Sequence, residues 1–537
     1  APGNSYVLST GFGANDKLIG EKGRLPEYAP LDKTAGLYMK VVYYNADGEE
    51  IGSDTWMDNP TSKKPMNINW QVKPLRRGFD KIYDACNTIY AVTRNIEYAL
   101  RAKEYMKYQL EDMVWGMKYR TTSGYNAKMN DTYEAVHVGR HLQRNALAYD
   151  MIYDSGVISE EEDAEIRQMF NDIAYELTST AYFNYANASG QIHNYNADRI
   201  SGLTLYMLTF PENKGTKKNN YKDNFDFFYD HIMNEKNVWS FPKLLKNGIY
   251  DAGKEYGGMW CENIRYHGSV HAGWLLSARA LDRYNSEFNY LQSEEMKKMA
   301  RMWVTAQGPK LTVSTNARNL AGYLTVGDSY WRENVDMAAW CASIYKASDP
   351  ELSRELMYTW DRMGSALGGS YSINILMDND PTLQRQNPKL GSVYLNNVGY
   401  TYFRQNFDVL GKENVILIPN SPGYGNKKQP IHDHSDRGSF SYIANGVPMS
   451  LDSGMGSYFG SDSAFWRSSR SHNEILFWSD QRGWLSNAGG DGNSYTSDTA
   501  KTKNYDSKTV DVSFSQELDR ATVQVNPAQR AGKNTNM

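Results

Sequence analysis

From Pro65 to about residue 385 the chain repeats one pattern, apolar residues at three- and four-residue spacing with no alternating strand between segments. The periods fall near 77–119, 132–154, 160–187, 196–210, 222–236, 261–284, 292–307, 332–347 and 350–364. Helix punctuation supports them: Ser159-Glu160-Glu161-Glu162 reads as a capping box, and Asp349-Pro350 as an N-cap followed by proline at the first helical position. About nine consecutive helices without strands predict antiparallel helical pairs, more than a simple bundle needs. A ring of helical hairpins, an α/α toroid with a central cleft, accommodates them.

The texture differs on both sides of this run. Residues 1–65 are rich in Gly, Asp, Asn and Pro, with one alternating stretch from Leu37 to Tyr44 closed by Asn45-Ala46-Asp47-Gly48, and predict a small β-rich module or arm. From about residue 390, runs such as Tyr400–Phe403, Val415–Ile418, Glu474–Trp478, Val510–Phe514 and Ala521–Val525 predict an antiparallel β-sandwich. The expected fold class is α+β multidomain: a β-rich segment over 1–65, an α/α toroid or incomplete helical barrel over 66–385, and the sandwich over 386–537. No closing element is apparent at Asn536-Met537, so a truncated C-terminus is expected.

Composition excludes several classes. With Lys+Arg 58 against Asp+Glu 62, the chain carries no overall basic field for nucleic acid. No window reaches the roughly 18 apolar residues of a membrane span, which predicts a soluble protein. Cys86, Cys261 and Cys341 are scattered and define neither a disulfide framework nor a cysteine metal site. Tyr, at 40, far exceeds Phe at 17, and there are 13 Trp; Tyr and Trp rings suit sugar stacking and wet clefts, although most are accounted for by helical cores.

The densest chemistry lies in His432-Asp433-His434-Ser435-Asp436, followed by Asp452 and His472-Asn473. In an extended strand His432 and His434 would share a face. Ser439–Ile443, an Asn445-Gly446 turn and Val447–Leu451 predict a hairpin that returns Asp452 toward His434. Two imidazoles and a carboxylate suit a borderline-soft divalent ion such as zinc. His434, Asp452 and His472 then form a frame, leaving His432 as the chemically active histidine.

This ordered series, His432–Phe440, Asn445–Pro448, Leu451–Gly454 and Trp466–Asn473, resembles the heparinase II/III-like polysaccharide lyases, as do weaker matches at Thr325–Ser329 and Gly399–Arg404. Gly258–His267 is similar to the family segment that ends in a catalytic tyrosine. The resemblance spans about 130–480 and implies β-elimination on an acidic polysaccharide. It implies Tyr266 as base, acid or both, His432 as the histidine facing it, and a structural Zn2+ on His434, Asp452 and His472. An Asn-His pair in the family neutralises the uronate carboxylate; here the order is inverted, His193-Asn194, which implies Asn194 as neutraliser with His193 assisting and Asn196 as the alternative.

Further cleft candidates are His141, Arg144, Asn196, Glu262 and Arg265 for substrate binding. His137 and His141 stand four apart on a predicted helix, but Val138 follows His137, so the H-E-x-x-H pattern is absent and a basic lining fits better than a metal site. His267 and His271 repeat that spacing and are expected at the cleft without assigned chemistry. The expected partner is an acidic polysaccharide, a glycosaminoglycan such as hyaluronan, chondroitin or heparan sulfate ahead of alginate, ulvan or gellan-type polymers. The competing reading is a non-catalytic glycan-binding protein. The resemblance and a polymeric substrate imply a periplasmic or secreted location, with any leader already removed.

Overall fold

The structure is a computed structural model that describes residues 5–10, 17–19, 38–44, 50–57, 68–122, 135–179, 192, 194–213, 224–313, 320–332, 334–365, 374–375, 378–420, 432, 434, 436, 438–452, 454, 471–473, 477–479, 483–485, 508–515 and 517–524. It forms two compact units, residues 1–189 with 198–234, and residues 190–197 with 235–537.

In the first unit, strands β1 (Ser5–Thr10), β2 (Lys17–Ile19), β3 (Tyr38–Tyr44) and β4 (Glu50–Met57) pair antiparallel in the order β2-β1-β3-β4. The alternating stretch of the sequence becomes β3. The period expected as one segment near 77–119 is two helices, α1 (Ile68–Thr93) and α2 (Ile96–Thr122). The break is local: Arg94 takes a left-handed backbone at φ 55°, and the Asn95 side chain accepts the Glu97 N–H at 3.1 Å, which starts the second helix. Phe79 packs on Tyr105 and the Tyr83 hydroxyl donates to Gln109 at 2.8 Å, closing the hairpin. Helix α3 spans Ala135–Tyr153, and α4 (Glu160–Leu177) opens with the reciprocal Ser159–Glu162 capping box. Helix α5 (Asn194–Thr209) belongs to this unit from Asp198 onward, and α6 (Asn224–Met233) follows.

Helices α3 and α5 meet backbone to backbone because both carry glycine at the crossing. A Cβ on Gly139 would stand 2.5 Å from the Asp198 carbonyl oxygen, and one on Gly202 would stand 2.4 Å from that of Gly139. These are backbone atoms that cannot swing aside. Gly139→Ala is therefore expected to destabilise the protein by about 1–3 kcal/mol, measured as a lowered urea midpoint.

The second unit continues with α7 (Phe241–Gly248), the hairpin β5 (Ile249–Gly253) and β6 (Gly257–Trp260), then α8 (Ile264–Tyr284), α9 (Glu294–Thr305), α10 (Met337–Tyr345) and α11 (Pro350–Arg362). Helix α7 and the β5–β6 hairpin lie inside the stretch expected to hold only longer helices. Gly253 and Gly257, at φ 106° and 86°, allow the tight return. Beyond the helices, β7 (Val393–Leu395), β8 (Tyr400–Gln405), β9 (Asn414–Pro419), β10 (Ser441–Ala444) and β11 (Val447–Ser450) form one antiparallel meander in the order β11-β10-β9-β8-β7. Two-stranded pairs follow, β12 (Phe477–Ser479) with β13 (Gly483–Leu485) and β14 (Lys508–Ser513) with β15 (Arg520–Gln524). The turn expected at Asn445-Gly446 is formed, both residues being left-handed at φ 51° and 74°. Helices followed by antiparallel sheet are the fold class expected.

Buried arginines tie helix to sheet within this unit. Arg404 of β8 donates to the Thr305 carbonyl at 2.6 Å, and Arg362 of α11 pairs with Glu413 at 2.7 Å, both side chains almost wholly buried. The core around α8 holds Trp260, Trp274, Trp303 and Trp340. His267 and His271, expected at a cleft, are in this core and 0% exposed. Nδ1 of His267 accepts the Trp260 N–H at 3.0 Å, and Nδ1 of His271 accepts the Trp303 indole N–H at 3.1 Å. Helix α8 is buried on nearly every side here, so the spacing put the two histidines on one face without saying what that face meets.

Burial without a counter-charge pushes the His267 imidazole down to about 3, with its bond to the Met299 carbonyl opposing, and lowers His271 as well. Both are neutral when folded and take up protons when unfolded, so the unfolded state gains stability below 6.5. Stability is expected to be intact above that pH and to fall progressively as pH drops toward about 3. Urea midpoints at about pH 7 and about pH 5 check the slope, and His267→Gln, which keeps an acceptor and a donor, should flatten it.

Candidate active site and metal centre

The residue that opens α8 also fixes what stands before it. Asn263 is the N-cap: its Oδ1 accepts the N–H groups of Arg265 and Tyr266 at 3.1 and 3.3 Å. Its Nδ2 donates to the His432 carbonyl at 3.2 Å. The Asp328 N–H donates to the same carbonyl at 3.0 Å. One asparagine thus starts the helix that carries Tyr266 and tethers the backbone of His432 beside it. The two rings stack, centroids 3.5 Å apart and planes 11° from parallel. Tyr266 is 8% exposed and His432 6%. The Arg265 guanidinium lies 5.7 Å from the centre of the Tyr266 ring and 5.2 Å from that of Tyr330.

Glu262 lies just before α8 and points into the protein, its side chain 0% exposed. Oε1 meets His432 Nδ1 at 2.8 Å, while Oε2 accepts the Trp260 indole N–H at 2.6 Å and the Asn194 backbone N–H at 3.1 Å. The sequence-predicted residues Asn194, Glu262, Arg265, Tyr266 and His432 are therefore linked by direct bonds or ring contacts. Asn194 opens α5 and its buried Oδ1 has no hydrogen-bond partner among the described residues. Asn196 is fully buried, and His193 lies outside the described residues.

The other cleft candidates belong to the first unit. Arg144 is ion-paired with Asp80, and His141 Nδ1 stands 3.9 Å from the same carboxylate. Burial pushes the neighbouring Asp84 carboxyl up to about 7, with Arg144 opposing and Asp80 adding to the rise. The His137 and His141 rings are 6.4 Å apart, and no metal group forms around them among the described residues.

The expected frame assembles. His434, Asp452 and His472 are buried, and each offers a ligand atom within 4.8 Å of the others. His434 Nε2 is held by Asp328 Oδ1 at 2.8 Å, and its Nδ1 is buried with no hydrogen-bond partner among the described residues. His472 Nδ1 meets Asp452 Oδ2 at 2.6 Å, and Asp452 is steadied by the Gly454 N–H on Oδ1 at 2.8 Å. For His434, the Asp328 carboxylate on Nε2 with Nδ1 left toward the group is the usual outer support of a metal-ligating histidine. Two imidazoles and a carboxylate fit Zn2+. One expectation differs: His432 and His434 do not lie on a strand, and their rings part, one to Glu262 and Tyr266, the other to Asp328. Each imidazole is drawn to its own carboxylate, so alternation does not govern them. Asp328, Asn263 and Trp260 stand within the stretches that carried the resemblance, but their partners are distant in sequence.

If the frame binds metal, His434→Ala is expected to lower metal content and thermal midpoint together, since metal affinity is linked to folding. Metal analysis beside a thermal melt, with and without chelator, checks it.

The heparinase II/III-like C-terminal family model matches residues 387–502. No curated protein matches the chain. Among solved structures, a heparan sulfate lyase HepC from Pedobacter heparinus is similar at 16% identity and TM-score 0.47, covering 86% of this chain and 59% of that one. Heparinase III is similar at 16% identity and TM-score 0.50, covering 81% of this chain and 56% of that one. The chain thus spans less than two thirds of the length of these structures. The likeness to Heparinase III is one of fold alone.

Proposed function

We propose that this chain, which carries a heparinase II/III-like C-terminal region at 387–502, is a polysaccharide lyase that cleaves uronic-acid-containing polymer by β-elimination. Glycosaminoglycans such as hyaluronan, chondroitin or heparan sulfate are favoured over alginate, ulvan or gellan-type polymers. The observation that carries the reading is the stack of Tyr266 on His432 at 3.5 Å, two proton-handling rings held face to face by separate anchors. Glycoside hydrolysis would instead need two carboxyl groups flanking the bond. Glu262, the carboxylate bonded to His432, is wholly buried.

The chemistry asks for three tasks. Removing the C5 proton leaves charge beside a uronate carboxylate, so a donor must first offset that carboxylate's charge; Asn194 takes this part, with His193 assisting. Tyr266 or His432 then accepts the C5 proton, the electron pair forms the C4–C5 double bond, and the C4–O4 bond breaks. A proton passes to the departing O4, completing an unsaturated uronate and a new hydroxyl end. Arg265, beside Tyr266, is a candidate for holding the acidic polymer at this site, and His141 and Arg144 of the first unit are separate candidates for contacts with it. Zn2+ on His434, Asp452 and His472 would brace the sheet beside His432 and supply no step of the reaction. Among the described residues no helix is long and apolar enough to cross a membrane, and a polymeric substrate fits a periplasmic or secreted enzyme.

Incubation with a panel of uronate polymers is expected to give the ultraviolet absorbance of an unsaturated product. Tyr266→Phe should abolish turnover while leaving the melting curve and polymer binding unchanged. Binding to the polymers without any absorbance from the wild-type protein would mark it as a glycan-binding protein instead.

A further inference from the structure

The Glu262 carboxylate receives bonds from groups that differ in freedom. Two of them, the Trp260 indole N–H at 2.6 Å and the Asn194 backbone N–H at 3.1 Å, can only donate, and both meet Oε2. The third, His432 Nδ1, meets Oε1 at 2.8 Å, and an imidazole nitrogen can be donor or acceptor. An ionised carboxylate is acceptor-only at both oxygens, so the proton in the His432–Glu262 bond sits on Nδ1. The backbone of His432 is tied by Asn263 and Asp328, and its ring face by Tyr266. Its Nε2 makes no hydrogen bond among the described residues.

We propose that Glu262 is a positioning residue that locks His432 in the Nδ1–H tautomer, so that Nε2 is an acceptor when substrate arrives. The proposal rests on the lyase reading for what that acceptor does, which is to take a proton during elimination. The tautomer itself depends only on the bonds around Glu262. Helix periodicity would put Glu262 beside Tyr266 on one face, four residues earlier, but α8 begins at Ile264 and Asn263 is its cap. The chain therefore turns before the helix, and the carboxylate reaches the histidine instead of the cleft.

The isosteric change Glu262→Gln tests this, because an amide has one acceptor and one donor end. Trp260 and Asn194 cannot reverse, so the Gln carbonyl must take the Oε2 place and its NH2 must face Nδ1. His432 is then forced to the Nε2–H tautomer at nearly unchanged volume. In protein labelled with 15N-histidine, with His432 assigned by the resonance lost in His432→Gln, the wild type is expected to show protonated Nδ1 and bare Nε2. Glu262→Gln is expected to exchange the two. On the polymer that the wild type cleaves, kcat should fall about 100-fold or more while KM moves less than about 3-fold. Glu262→Asp, still acceptor-only, should keep the Nδ1–H tautomer and recover at least about 10-fold of the lost kcat. A wild-type Nε2–H tautomer, or Glu262→Gln with unchanged tautomer and turnover, overturns the proposal; the wild-type spectrum decides even where the variant fails to fold. Absence of turnover by the wild type on every polymer would sink the lyase reading while leaving the tautomer measurement to decide the role of Glu262.

Discussion

Three histidines of the C-terminal region are each bonded to a buried carboxylate, and the candidate site depends on those pairings. His432 meets Glu262, His434 meets Asp328, and His472 meets Asp452, all at 2.6–2.8 Å. A buried imidazole or carboxylate left alone would pay a large desolvation cost; paired, each satisfies the other and gains a charge-assisted bond. Glu262 and Asp328 come from the segments that precede and follow α8 and α9, whereas the histidines follow β9. These bonds therefore fix not only ring orientation but where the post-β9 segment lies against the helices of its own unit. Asn263 repeats the device at the backbone level, capping α8 with one end of its amide and holding His432 with the other.

Much of this was legible because local rules decide it. The Asn445-Gly446 dipeptide demands a two-residue turn, the turn sets Ala444 on Val447 and Ile443 on Pro448, and after one register shift at Tyr442 the hairpin returns the chain to Asp452. The capping box at Ser159 and the Asp349 cap were readable from side chains that bond to backbone three residues away. The helical run and the later strands followed from period alone.

What was not legible lies in partners far apart in sequence. Glu262 and His432 are 170 residues apart, and Asp328 and His434 are 106 apart. Nothing local announces such pairs. Period stops being informative at an element's end: Glu262 stands just before the Asn263 cap of α8, where the spacing to Tyr266 no longer fixes where its side chain goes. His267 and His271 kept the right spacing, yet the face they share is the one packed on Trp303. The split of one long helical period at Arg94 turns on a single left-handed residue with no glycine to mark it.

One device thus serves two ends. In both His432 and His434 a carboxylate occupies one ring nitrogen and leaves the other without a protein partner among the described residues. The difference is what stands nearby. Around His434 lie Asp452 and His472, a donor set complete enough for a metal ion and closed from solvent. Around His432 lies the flat face of Tyr266, stacked on the ring at 3.5 Å. A fixed imidazole with one unbonded nitrogen beside a tyrosine ring suits a proton acceptor; one set among ligand atoms suits a brace. The roles proposed for the two histidines rest on these neighbours, since each ring is bonded to one buried carboxylate, His432 through Nδ1 and His434 through Nε2.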